Sequence, residues 1–163
     1  MSLMLPPALS KFLNMIGLTW PEGDEDKIKA WADAWVAYGK EIAEIQRAAD
    51  GARDKVSAAN EGPGVEAFKT DYAAPGQVRD IGGNLVTAAN VTSGSLLLVA
   101  ATVVTLKGVF IAELTMLAYE VGVAIAAAPE TAGASLAAIP IAEYLTEAAI
   151  NLAINVAIEA VLG

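Results

Sequence analysis

DEDKIKAWADAWVAYGKEIAEIQRAADGARDKVSAAN, residues 24–60, carries two of the three tryptophans and sets the fold class. Within it Ile28, Trp31, Trp35, Tyr38, Ile42, Ile45, Ala49, Ala52 and Val56 follow one another in alternating steps of three and four. That is an a/d seam held without a slip, the signature of a helix in a bundle or coiled coil. It predicts one helix from about Asp24 to about Asn60, roughly 54 Å long at 1.5 Å per residue. Glu22, Asp24, Glu25 and Asp26 fall in or beside its first turn, where the helix dipole favours negative charge. They read as surface acids, since no EF-hand spacing makes a cation site of them.

Upstream, Thr19-Trp20-Pro21-Glu22 has the form of a capping box, with a start at Asp24 as the alternative because of Gly23. Trp20 lies outside the seam and is expected to pack over the first turn. Leu9, Phe12, Leu13 and Ile16 behind Pro6-Pro7 predict a short helix over about 8–17. Downstream, Glu61-Gly62-Pro63-Gly64 is a strong breaker that lets the chain reverse. Val65 to Tyr72 reads as a short helical stretch, broken at Ala73-Ala74-Pro75-Gly76. The next helix begins near Gly76 or Gln77; Gly82-Gly83 reads as a bend or a close helix contact, and there and around Thr92 to Ser95 the helix is expected to bend or stop. A second seam, Val99, Val103, Leu106, Phe110, Leu114, Leu117, Val121 and Ile125, runs to about Ala128-Pro129. A last helix over about 134–162 is expected to be disturbed at Pro140.

The chain therefore reads as a single all-α domain over 1–163, an elongated antiparallel helical bundle. Its parts are a short helix over about 8–17, a long helix over about 24–60, broken helices over about 65–128 and the last helix. At 163 residues with 55% apolar and 18% charged side chains it can bury a core of its own.

Chemistry is narrowed by what is missing. Cysteine and histidine are both absent, which removes disulfides, thiolate or imidazole zinc sites and Ser-His or Cys-His catalysis. The carboxylate pairs are those any charged helix generates, so no catalytic, cofactor-binding or metal-binding residue is assigned and no cofactor is expected. The net charge is −9; residues 1–80 hold nine bases and thirteen acids, residues 81–163 one base, Lys107, and six acids. A phosphate-binding face needs clustered Lys and Arg, so nucleic acid is not an expected partner. No positive region followed by an unbroken apolar stretch opens the chain, so a classical secretory signal is not expected.

Between Asp80 and Lys107 no side chain is charged, yet Leu96 to Leu106 is about half of a bilayer span. Glu143, Glu147, Asn151, Asn155 and Glu159 recur every four residues, the polar stripe of a half-buried helix. A buried bundle helix is the favoured reading; the alternative is a membrane-active channel or translocation domain formed by residues 96–162. The residues expected to form the helix-packing or partner interface are Ile28, Trp31, Trp35, Tyr38, Ile42 and Ile45. Those expected to form the hairpin turn and its apolar support are Gly62, Pro63, Gly64 and Phe68.

LPPALSKFLNMIGLTWP, then DEDKIKAWADAW and, after the long helix, GPGVEAFKTDY resemble the WXG-like N-terminal domains of actinobacterial toxins exported by type VII (ESX) secretion. That group includes the N-terminal domain of a mycobacterial outer-membrane channel and necrotising toxin. The resemblance implies a WXG-like helical hairpin turning at Glu61-Gly62-Pro63-Gly64, with Ala67 and Phe68 as the apolar residues behind the turn. The turn's tryptophan is absent here. The family's Tyr-to-acid export signal is also unmatched, since Tyr72, Tyr119 and Tyr144 are followed four residues on by Gly76, Val123 and Ala148. The resemblance further implies a non-catalytic targeting or trunk module, self-association or pairing with a small helical WXG-type partner, and contact with secretion machinery. It implies a C-terminal toxin domain beyond Gly163 and export by the type VII route after cytoplasmic folding, with cell-surface or membrane association left open.

Overall fold

Asp24 opens the long helix, its carboxylate accepting the Lys27 N–H at 3.1 Å, a side-chain cap on an otherwise unsatisfied first-turn amide. The start thus lies at Asp24 rather than at the Thr19 capping box. The computed structural model describes residues 2–162. In chain order its α-helices are α1 (Ser10–Met15), α2 (Glu25–Ala59), α3 (Pro63–Ala73), α4 (Val78–Ala127) and α5 (Ile139–Leu162). Short 3-10 turns at Pro7–Leu9 and Ala134–Ala138 precede α1 and α5, and no strand occurs among the described residues. The fold is all-α, and its helices form two compact units, Ile28–Leu97 and the remainder of the chain.

In Ile28–Leu97, α2 and α4 run antiparallel at very close range. A Cβ on Gly39 would lie 3.3 Å from that of Ala89, and Gly82 leaves room for Gln46, whose Nε2 donates to the Arg79 carbonyl at 2.6 Å. The inward residues of α2 include Ala32, Val36, Gly39, Ala43 and Gln46; those of α4 include Gly82, Val86, Ala89 and Ser93. Small side chains let the two backbones approach. Gly82 is a close helix contact, and α4 does not stop at Gly82-Gly83 or at Thr92 to Ser95 but continues through them.

In the other unit α4 and α5 form a second antiparallel pair. Phe110, Leu114, Leu117 and Val121 of α4 meet Ala142 and Ile150 of α5, and Leu9, Phe12, Leu13 and Ile16 complete the core. Trp20 sets its ring edge-on to Phe110 at 5.8 Å. It therefore packs against the core of this unit, on Phe110 of α4, rather than over the first turn of α2 alone. The α4–α5 connection turns through Ala132 and Gly133, both at positive φ, and Ser135 Oγ donates to the Ala124 carbonyl at 2.7 Å. The helix expected over about 134–162 is divided at this point, a 3-10 turn over Ala134–Ala138 giving way to α5, and Pro140 falls in the first turn of α5, where its missing N–H would have no intrahelical partner.

Candidate interaction face

The inward face of α2 sits one residue further along the chain than the large apolar seam. Ala32, Val36, Gly39, Ala43 and Gln46 take the place that hydrophobicity assigns to Trp31, Trp35, Tyr38, Ile42 and Ile45. Ala32 is 1% exposed, whereas Trp31 is 60%, Trp35 41% and Ile45 64%. One residue is 100° of rotation, enough to move a helix face from the interior to its edge. Ile28 and Ile42 are half-buried, and Trp35 and Tyr38 meet edge to face at 5.8 Å. Within the chain, then, the large side chains are not the main packing surface.

They form an open apolar face instead. Trp35 and Tyr38 line a cavity of about 430 Å³ with Leu85, Ala88 and Thr92 of α4. Leu85 is itself 39% exposed.

At the end of α2, Gly62 has φ 113°, a conformation that a side chain would strain, and its carbonyl accepts the Val65 N–H at 3.0 Å. Pro63 starts α3, where it lacks only an amide that would have no intrahelical partner. Gly64 lies in the first turn of α3, and Phe68 is partly exposed and leans on Tyr72, ring centres 6.1 Å apart. α3 is tied down by a polar cluster. Asp50 Oδ1 accepts from Tyr72 Oη and Arg79 Nε, each at 3.1 Å, and the Arg53 guanidinium stands over the Tyr72 ring. Burial, then the Asp50 carboxylate, raises the Tyr72 hydroxyl above its usual range.

Two charged residues fix the start of α2. Glu25, expected on the surface, is buried, and Lys107 of α4 meets it at 2.8 Å. All three ammonium protons of Lys107 have acceptors: Glu25 Oε2, the Gly23 carbonyl at 2.6 Å and Ser2 Oγ at 3.2 Å. Ser2 Oγ and the Leu3 N–H donate to the same carboxylate. The hydrogen bond from Lys107, with that from Leu3, holds the Glu25 carboxyl down at about 2. The signal was legible: a lone lysine between Leu106 and Phe110 needs a buried counter-charge. The acids at 24–26 are thus divided in role, and no carboxylate cluster suited to a metal ion occurs among the described residues.

The family model described as a WXG100 like domain matches residues 5–148. The chain belongs to the WXG100-like family. Comparison with curated proteins and with solved structures gives no match. WXG100-like proteins are helical, generally non-enzymatic and associated with secretion, and they generally self-associate or pair with helical partners.

Proposed function

We propose that this WXG100-like chain is the non-catalytic targeting or trunk module of a type VII-secreted toxin, pairing through the exposed face of α2. The observation that carries the reading is the division of α2. Small residues such as Ala32 and Gly39 satisfy the chain's own hairpin, and Trp31, Trp35, Tyr38 and Ile45 are left outward. Exposed aromatics at helical spacing are the anchors of helix-on-helix recognition. The partner is a second copy or a small WXG-type helical protein, and the Gly62-Pro63-Gly64 turn, with Phe68 behind it, supplies the hairpin end. The toxin domain would follow this module in the full-length protein.

The test joins association with export. Trp31→Asp with Trp35→Asp should keep helical circular dichroism and lose association in sedimentation. A reporter carried by the module should leave an actinobacterial host only when the type VII ATPase is intact. Unchanged association of the double variant, or export without that ATPase, would count against the reading.

A second reading, membrane activity of residues 96–162, draws on Pro63–Ala127 and Ala134–Leu162. Each holds an 18-residue window long and apolar enough to cross a membrane, of which 17% and 11% are buried. Leakage of dye-loaded liposomes with and without residues 96–162 separates it from the first; absence of leakage at any pH removes it.

A further inference from the structure

The α4–α5 pair has two sides, and the chain covers one of them. There Leu9, Phe12, Leu13 and Ile16 lie on Phe110, Leu114 and Leu117. At 3.6 residues per turn, Thr105, Val109, Met116 and Val123 fall together on another face of α4, and Leu145, Leu152 and Val156 share the matching face of α5. Met116, Val123, Leu145, Leu152 and Val156 are all exposed. Two apolar cavities of about 450 and 440 Å³ lie along this groove, one between Ala101 and Ala160, the other between Ala124 and Ala138. The 24 residues from Ala101 to Ala124 give it a length of about 35 Å.

Charge selects what can lie there. From Leu98 to Leu162 the acids are Glu113, Glu120, Glu130, Glu143, Glu147 and Glu159, and the one base, Lys107, is buried against Glu25. Glu120 lines the groove and Glu113, two turns earlier, shares its side of α4. Every exposed charge from Leu98 to Leu162 is therefore negative. We infer that the α4–α5 groove is a second docking site, distinct from the α2 face, for an amphipathic helix of a partner protein whose apolar stripe is flanked by Lys or Arg. An anionic lipid surface meets the wrong sign here, and so does the same α4–α5 face of another copy.

The test uses two helical peptides of about six turns with the same Leu/Ala stripe, one flanked by Lys and the other by Glu. Fluorescence anisotropy with the full chain should show the Lys peptide binding roughly tenfold or more tightly, with the gap closing in high salt. Thr105→Arg with Ala149→Arg should abolish binding, and Glu113→Gln with Glu120→Gln should narrow the preference, all with unchanged circular dichroism. Trp31→Asp with Trp35→Asp should leave it unaltered, which separates this site from the α2 face. Equal binding of the two peptides, or loss on the tryptophan substitutions alone, would overturn the inference. So would self-association or binding to neutral phosphatidylcholine vesicles that Thr105→Arg and Ala149→Arg remove.

Discussion

Lys107 Nζ lies 2.8 Å from Glu25 Oε2, with only 2% and 5% of the two side chains exposed. A buried pair is weak evidence of net stability, but removing one partner strands a charge away from water. Lys107→Met should lower the melting temperature by about 10 °C. Adding Glu25→Gln to it should cost less than the two single losses summed. Calorimetry on the four proteins of the cycle checks this, and strictly additive losses would show the two residues to be uncoupled.

The same pair predicts an acid limb. Glu25 sits at about 2 in the folded chain against 4.5 for a free glutamate, chiefly because Lys107 donates to it. A depressed folded value contributes stability that is present above about 4.5 and is lost as pH falls toward about 2. The stability gap between the parent and Glu25→Gln should therefore be constant from neutral pH down to the free value and close below it. Trp20 fluorescence in a Trp31→Phe, Trp35→Phe background follows it. Asp24, lowered by the Lys27 amide, titrates in the same direction in both proteins and drops out of the comparison. A gap unchanged at the acid end would refute the assignment.

How much of this was legible depends on side-chain size. On α4, Phe110, Leu114, Leu117 and Val121 of the large apolar seam point inward, so its spacing located the core, although Ile125 at its end is exposed. On α2 the largest residues point outward and Ala32 and Gly39 point in, so a reading that puts bulk inside identified the helix and missed its buried face by one residue. Gly82 shows a related limit: glycine in a helix signals a bend or a close neighbour, and the partner that decides between them, Gln46, is not in the local sequence. The break after α2 needed only local chemistry: α2 ends at Ala59, Gly62 precedes α3, and Pro63 and Gly64 open α3.

The division of α2 gives an inverted size rule. Ala89 is wholly buried where Gly39 passes, so Ala89→Leu should destabilise by about 1–3 kcal/mol through overpacking. Trp31→Asp, at a far larger and more apolar residue, should change stability by less than about 1 kcal/mol. Urea midpoints at a fixed slope measure both. A larger loss for Trp31→Asp than for Ala89→Leu would mean that the tryptophan face is used inside the chain.

Trp20 and Phe110 supply the last test, because their contact joins residues ninety positions apart in sequence. Phe110 is 1% exposed and lies at the centre of the α1–α4–α5 core, so Phe110→Ala should cost about 3–5 kcal/mol. Trp20 is half-buried at the margin of that core, and Trp20→Ala should cost less, about 2 kcal/mol. If Trp20 capped α2 alone, its loss would be local and would add to that of Phe110→Ala. As placed, it loses its main neighbour in Phe110→Ala, and the double variant should be less destabilised than the sum by about 1 kcal/mol. Chemical denaturation of the two single variants and the double variant decides between these outcomes.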